Sequence, residues 1–128
     1  MKNIEYPPII RTDRLILRQW SSTDLELFAR LNADSKVMEY FPSVLTREES
    51  HASLQFAYNH IEKYGWGKWA VILIETGEFI GRIGLENVDV EVSFSPNIEL
   101  GYRLAFEHWG KGYALEGANA VLQYGFNH

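Results

Sequence analysis

Residues 98–126 read IELGYRLAFEHWGKGYALEGANAVLQYGF and contain the change of hydrophobic period that decides the fold. Over residues 98–104 the apolar side chains alternate with the others, which is the period of a strand. From Gly112 onward the apolar residues recur at helical spacing, at Ala114, Leu115, Ala118, Val121, Leu122 and Phe126. Gly110 and Gly112 separate the two patterns, so the stretch predicts a strand, a glycine turn and a helix.

The glycine turn has the chemistry of an anion site. Glycine lets the backbone approach a ligand and point its N–H groups at it, and a following helix adds unpaired N–H groups and the positive end of its dipole. Lys111 adds a positive charge. A dinucleotide fingerprint is excluded because Leu115 stands where its last glycine is required, and no P-loop string occurs. The turn predicts a phosphate or pyrophosphate site, with a connection that binds nothing as the alternative.

The first part of the chain predicts a strand and a helix. Residues 14–18 have a strand pattern that ends near Trp20. Thr23 and Glu26 have the spacing of a capping box, so a helix is predicted to follow as far as Asn32. The residues that this helix is predicted to bury are Leu27, Phe28 and Leu31.

A second helix and a hairpin are predicted in the middle of the chain. Thr46 and Glu49 form another capping box, and the helix that it starts is predicted to reach Lys63. Its buried side is predicted to contain Leu54, Ala57 and Ile61. Residues 68–74 and 79–85 have strand patterns and are joined by a short turn, which is typical of a hairpin.

Composition limits the classes of function. The predicted order β-α-α-β-β-β-α is a mixed α/β (α+β) pattern, and residues 1–128 have the length of a single domain. A net charge of -5 argues against a nucleic-acid partner. The lack of cysteine excludes disulfides and thiolate metal sites, and no other metal-ligand pattern is found. With no apolar signal core and no run near the ~18 residues of a membrane span, a cytoplasmic protein without a membrane partner is expected.

The glycine turn resembles the acetyl-coenzyme A motif of the GNAT acetyltransferase superfamily. That motif, [Q/R]-x-x-G-x-[G/A], maps onto residues 109–114, with Trp109 in place of Gln or Arg. The turn followed by Glu116 resembles the RimJ/RimL branch, which acetylates the N-termini of ribosomal proteins. Three further segments resemble that branch in the same order, at residues 12–18, 77–85 and 99–104.

The resemblance implies a cofactor, acetyl-CoA, and the residues that bind it. Backbone groups of the strand would bond the pantetheine arm, and N–H groups of the turn and the helix start would hold the pyrophosphate. The cofactor-binding residues implied are Tyr102, Arg103, Leu104, Trp109, Gly110, Lys111, Gly112, Tyr113, Ala114 and Leu115.

The resemblance also implies a reaction, the transfer of an acetyl group from acetyl-CoA to a primary amine. Glu99 is the candidate general base, because its place before the turn resembles that of the catalytic glutamate in some members of the superfamily. An ordinary strand carboxylate paired with Arg103 is the alternative. The acceptor is a protein N-terminus or a small amine. The acidic net charge favours a cationic or amine-bearing acceptor, because it attracts positive charge during the approach. Tyr40, Phe41 and Pro42 either line the acceptor groove or pack their loop.

In the superfamily the fold continues past the third helix with a strand, a helix and a hairpin, so the domain is expected to be incomplete at its C-terminus. The edge at residues 98–104 is then expected to be exposed and to promote a homodimer. Two alternatives stay open for the chain: an acetyltransferase, weak or inactive without that part, and a non-catalytic acyl-CoA or peptide binding module.

The remaining polar candidates are assigned no role in the reaction. His51 and His60 lie nine residues apart, which is not a metal-binding helical pair, and are interpreted as solvated. His108 is interpreted as a surface residue. Arg14 and Arg18 are interpreted as strand-surface charges.

Overall fold

Five strands and three α-helices make up the computed structural model, which describes residues 8–88 and 97–127. The strands are β1 (Pro8–Arg11), β2 (Leu15–Arg18), β3 (Lys68–Leu73), β4 (Phe79–Val88) and β5 (Asn97–Leu104). The α-helices are α1 (Leu25–Ala33), α2 (Arg47–Tyr64) and α3 (Tyr113–Asn127), with 3-10 turns at Ser22–Asp24 and Phe106–His108. The order β-β-α-α-β-β-β-α contains one strand more than predicted.

The strands form one antiparallel sheet in the order β1-β2-β3-β4-β5, which confirms the predicted mixed α/β fold class. The additional strand is β1, whose pairing with β2 ends at Arg11↔Ile16. Thr12 closes the connection: its N–H donates to the Leu15 carbonyl at 2.9 Å, and its Oγ1 accepts from Leu15 N–H at 2.9 Å. The residues of β1, Pro-Ile-Ile-Arg, show no alternation of apolar and polar side chains, so no strand was predicted there.

The helices lie on opposite faces of the sheet. On β4, Arg82 reaches Ser53 of α2 and Phe28 of α1. The next residue, Ile83, lies against Gly117 of α3, where a Cβ would be 2.3 Å from its Cδ1. Because successive strand residues point to opposite faces, α1 and α2 cover one face and α3 covers the other. The glycine lets α3 approach this closely.

β5 lies at the edge of the sheet. Within residues 8–88 and 97–127 it pairs with β4 alone, in a register that includes Gly81↔Leu104 and Arg82↔Arg103. Leu100 and Tyr102 are 36% and 62% exposed. An exposed edge is therefore present in the described part, and a homodimer through it stays a prediction.

The two predicted helix starts had different outcomes. The box before α2 is confirmed: Glu49 N–H donates to Thr46 Oγ1 at 3.1 Å, and Thr46 N–H donates to Glu49 Oε1 at 2.8 Å. The box predicted at Thr23 is wrong, because Ser21 and Asp24 form it two residues earlier. Arg18 holds both carboxylate oxygens of Asp24, at 2.8 and 2.9 Å, and this contact supports the earlier cap.

Burial largely follows the predicted faces. The predicted residues of α2 are buried, as are Phe28 and Leu31 of α1. Leu27 is 42% exposed instead, while the polar Asn32 is fully buried. Among the described helices, none combines the length and the apolar composition that a membrane crossing requires.

Candidate active site

One cavity of about 710 Å³ lies where β5, the glycine turn, α3 and the segment after α1 meet. Nine of the predicted cofactor-binding residues line it: Tyr102, Arg103, Leu104, Trp109, Gly110, Gly112, Tyr113, Ala114 and Leu115. Lys111 is not part of the lining; it is exposed, and its carbonyl faces Arg14. The remaining lining comes from Val37, Tyr40, Phe41, His108 and Ala118.

The glycine turn has the backbone that the sequence requires. Gly110 and Gly112 have φ of 75° and 82°, a left-handed conformation that favours glycine. The Trp109 indole N–H donates to the Leu104 carbonyl at 2.8 Å, so the residue that departs from the family motif ties the turn to β5. α3 begins at Tyr113, and its first N–H groups have no partners within the helix.

An ion pair holds the glycine turn against β2. Arg14 Nε lies 2.6 Å from Glu116 Oε1, and Arg14 Nη1 donates to the Lys111 carbonyl at 2.9 Å. The Arg14 guanidinium also lies 4.5 Å from the centroid of the Tyr113 ring. Arg14 is exposed, as interpreted, but it is not a plain surface charge, because it clamps the turn to the sheet.

Glu116 is held as a carboxylate in this clamp. Its Oε2 accepts from Thr12 Oγ1 at 2.5 Å and from Arg14 N–H at 3.0 Å. Partial burial alone would raise the pKa of Glu116, but the hydrogen bonds from Thr12 and Arg14 and the Arg14 charge outweigh it and lower the pKa. We name the contacts of Thr12, Arg14, Lys111 and Glu116 the turn clamp.

The opposite wall carries a buried cation. Arg103 is 9% exposed, its Nη1 donates to Asn32 Oδ1 at 2.8 Å, and its guanidinium lies 4.7 Å from the Phe41 ring centroid. Burial lowers the pKa of Arg103 from its ordinary value, although an arginine keeps its charge at neutral pH. Tyr40, which is 92% exposed, lies on the same side. Tyr40 and Phe41 thus line the cavity, Pro42 is not among the lining residues, and a role of this loop in an acceptor groove stays a prediction.

His108 is buried, at 7% exposed, so its interpretation as a surface residue is wrong. Its Nε2 lies 3.4 Å from Glu78 Oε1, and its ring lies 6.1 Å from that of Tyr113. One ligand atom each from Glu78, Glu107 and His108 lies within 4.8 Å of the others, although both carboxylates are exposed. The 3-10 turn at 106–108 folds the ring inward, which the sequence pattern did not indicate.

The other candidates are not among the described residues that line the cavity. Glu99 belongs to β5, where its backbone pairs with Glu86, and its side chain lies outside the described residues. His51 is exposed as predicted, whereas His60 is buried, with Nδ1 2.8 Å from the Trp66 carbonyl oxygen. Arg18 is bound to the buried Asp24, so its interpretation as a surface charge is also wrong.

Sequence reasoning missed the turn clamp and the environment of Arg103. Arg14 and Glu116 are 102 residues apart, and Asn32 and Arg103 are 71 apart. No local spacing signals either contact. The resemblance did include residues 12–18 and Glu116 as separate matches, and these matches were the available hint that the two segments act together.

Comparison with known proteins identifies relatives over most of the chain. A family model described as an acetyltransferase (GNAT) domain matches residues 14–128. The uncharacterized N-acetyltransferase YoaA of Bacillus subtilis is 33% identical over 123 residues, which are 94% of this chain and 67% of YoaA. The chain therefore spans about two thirds of the length of this relative.

Solved structures agree on the fold. A GNAT-family acetyltransferase from Bacillus anthracis is 30% identical, with a TM-score of 0.73 over 93% of this chain and 66% of that chain. RimL, a ribosomal L7/L12 alpha-N-protein acetyltransferase, has a TM-score of 0.74 over 99% of this chain and 68% of its own. At 14% identity, RimL shows a shared fold alone.

Proposed function

The chain belongs to the GNAT acetyltransferase family, and on that premise we propose that it binds acetyl-CoA in the cavity and transfers the acetyl group to a primary amine. The observation that carries this proposal is that one cavity joins the end of β5 to the glycine turn and the start of α3. A strand edge and a helix N-terminus are the two kinds of backbone that a pantetheine arm and a pyrophosphate need.

The glycine turn fits a pyrophosphate. Left-handed glycines at 110 and 112 bring the bare backbone to the cavity, and a Cβ at Gly112 would come within 3.4 Å of Arg14 Nη2. The unpaired N–H groups of the first turn of α3 and its dipole favour an anion there. The turn clamp supports this role because it fixes the direction of these donors.

The end of β5 fits an extended amide chain. Neighbouring strand residues point their backbone groups to opposite edges, and the Arg103 carbonyl faces Gly81 of β4, so the free edge offers the backbone groups of Tyr102 to such a partner. The Leu104 carbonyl already accepts from the Trp109 indole. We therefore assign the pantetheine contact of this strand to the backbone of Tyr102, while Leu104 and Trp109 hold the strand to the turn.

The reaction needs few groups besides those that bind. Bound acetyl-CoA supplies an activated thioester; the chain must orient the amine and accept the proton that it loses. Glu99 is our proposal for the base, supported by its place on β5. Backbone N–H groups of the same strand are the candidates to stabilise negative charge on the thioester oxygen.

Our proposal for the acceptor side of the cavity is the part lined by Tyr40 and Phe41. A protein N-terminus and a small amine both fit an open aromatic groove. The ribosomal-protein branch stays a proposal, supported by the motif around Glu116 and by the fold shared with RimL.

The test uses a property of the chain itself. Because it has no cysteine, a thiol reagent reports only the coenzyme A that the reaction releases. Acetyl-CoA is supplied with a panel of N-terminal peptides, amino acids and polyamines, and coenzyme A binding is measured in parallel by titration calorimetry. We expect binding together with thiol release for at least one acceptor.

Two outcomes would change the conclusion. Absence of coenzyme A binding at millimolar ligand would contradict the proposed function. Binding without transfer to any acceptor would favour the alternative, a non-catalytic acyl-CoA binding module.

A further inference from the structure

Arg103 is a buried cation without a carboxylate partner in the described part of the chain. Its Nη1 bonds the neutral amide oxygen of Asn32, and its Nε has no hydrogen-bond partner among residues 8–88 and 97–127. The ion pairs of that part involve other cations. A guanidinium carries five N–H donors, so most of its capacity is unused within the protein described.

Such an arrangement is costly. Removing a charge from water is unfavourable unless a partner of opposite charge and hydrogen bonds compensate. Here the compensation comes from one neutral amide and from the face of Phe41. Arg82 is the register partner of Arg103 on β4, so a second guanidinium-bearing residue starts from the same face of the sheet. Like charges opposite each other add to the cost.

The surroundings nevertheless hold the guanidinium in place. Asn32 donates through Nδ2 to Ser50 Oγ at 3.0 Å, and both residues are fully buried. This pair turns the amide oxygen of Asn32 toward Arg103, while Phe41 covers one face of the guanidinium. A planar cation fixed in this way is suited to a carboxylate, which it can bind through two parallel hydrogen bonds.

The position of Arg103 separates it from the proposed phosphate site. Its partners come from α1 and from the segment after α1, whereas the glycine turn forms the other wall of the cavity. The aromatic residues Tyr40 and Phe41 lie on the Arg103 side. A ligand group that reaches Arg103 therefore enters from the side left for the acceptor.

We propose that the Arg103 guanidinium binds a carboxylate of the acceptor, so that the acceptor is a primary amine that also carries a carboxylate, such as an amino acid. This rests on the proposed acetyl transfer and specifies its substrate class. The net charge of -5 acts on ligands at a distance, but the local charge at the cavity wall is positive. The carboxylate would anchor the acceptor and leave its amine free to reach the thioester.

The test compares matched acceptors. L-leucine, L-phenylalanine, L-methionine and L-glutamate are each supplied beside the corresponding α-amide, and kcat/KM is measured for the native chain and for Arg103→Gln, Arg103→Lys and Arg30→Gln. Arg30 is an exposed arginine on α1 and controls for net charge. The acid-to-amide ratio of each variant is divided by that of the native chain, which cancels the different basicity of the two amines.

For at least one acid we expect the native chain to prefer the acid, and Arg103→Gln to lower that ratio about 10- to 100-fold. Arg103→Lys should retain part of the preference and Arg30→Gln all of it, with KM for acetyl-CoA within about twofold throughout. A native chain that prefers no acid over its amide, or an unchanged ratio in Arg103→Gln, would overturn the inference. So would a raised KM for acetyl-CoA with an unchanged ratio, which would assign the guanidinium to a cofactor phosphate.

A binding measurement separates this inference from the proposed function. The N-acetyl acids and N-acetyl amides are titrated into the native chain, and the Arg103 Nε–H resonance is followed by NMR. We expect the acids alone to shift it. Coenzyme A binding without any such shift would reject the inference and leave the proposed function standing. Absence of coenzyme A binding would reject the proposed function. Circular dichroism shows whether Arg103→Gln folds. If it does not, the acid-to-amide ratio of Arg103→Lys is used to test the inference.

Discussion

Arg103 lines the cavity, whereas Arg14 contacts the glycine turn without lining the cavity, and the partners of the two arginines differ. The Arg14 side chain is 44% exposed, yet it has a carboxylate partner, Glu116, at 2.6 Å. Arg103 is buried, where an uncompensated charge costs more, and has only a neutral amide and an aromatic face among the described residues. A protein selected for stability alone would show the reverse. The difference indicates that the turn clamp serves the architecture, whereas Arg103 is kept for a ligand.

The largest expected effect comes from a substitution in the glycine turn. Gly112→Asp forces a side chain into a φ of 82° and places a carboxylate beside the proposed pyrophosphate site. We expect coenzyme A affinity, measured by titration calorimetry, to fall about 100-fold or more. The affinity of Arg103 for an N-acetyl amino acid should change less than about threefold, because changes at separate sites act independently.

The matched control for this change is Gly65→Asp. Gly65 ends α2 with a φ of 78°, has open space around it, and is not among the cavity-lining residues. It should lose stability by backbone strain while coenzyme A affinity is retained. Equal losses of affinity in the two variants would mean that strain, and not the site, explains the first result.

A second change would remove the contrast between the two arginines. Asn32→Asp gives Arg103 a carboxylate within reach of Nη1. We expect the preference for acids over amides to fall about tenfold, since the guanidinium would then be occupied internally, while the thermal midpoint holds or rises. Asn59→Asp, on the exposed side of α2, is the control and should leave the preference intact. An Asn32→Asp variant that keeps the full preference would contradict the assignment of Arg103.

A double-mutant cycle on Arg14→Gln and Glu116→Gln measures the turn clamp. Each single change should lower the free energy of unfolding by about 1–2 kcal/mol, a modest value because Arg14 is partly exposed. The double variant should lose less than the sum, because the two side chains share one interaction. Urea unfolding provides the measurement, and strictly additive losses would show that the pair is not coupled.

The smallest expected effect is the pH dependence of the same pair. The pKa of Glu116 is lowered in the folded protein, so the unfolded chain binds its proton first as the solution is acidified. The stabilisation is therefore present above the unfolded pKa of about 4.3 and is lost as pH falls through the folded value. The stability difference between the native chain and Glu116→Gln should shrink on acidification. A constant difference from pH 7 to pH 3 would contradict the lowered pKa.

Local patterns predicted the parts of this fold that are determined locally. The start of α2 depends on two residues three positions apart, Thr46 and Glu49, and its prediction is confirmed. The glycine turn was recognised for the same reason, since strand, glycines and helix are contiguous. The capping box before α1 was misassigned because Ser21 with Asp24 and Thr23 with Glu26 both have the required spacing, and the contact of Arg18 with Asp24 favours the first pair.

The chemistry of the cavity walls was mostly beyond such patterns. The alternation of residues along β5 predicts the face of the sheet on which Arg103 lies. It does not predict that Arg103 lacks a carboxylate partner in the described part. His108 and His60 were taken as solvated, yet short-range chain geometry turns both rings inward. Burial of a polar residue depends on what packs over it: Tyr64 and Trp66 pack against His60, and Glu78 and Tyr113 lie beside His108.

Trp109 gives the cavity an optical consequence. Of the four tryptophans, all within the described residues, it alone lines the cavity, and it is 41% exposed, whereas Trp20 and Trp69 are fully buried. Its indole N–H is bound to the carbonyl that ends β5. Trp66 is partly buried and is not a lining residue, so we expect the emission that responds to a ligand in the cavity to come from Trp109. A molecule that enters between β5 and the glycine turn would change the polarity around the Trp109 indole or its hydrogen bond. The fluorescence spectrum can therefore be used to measure ligand binding.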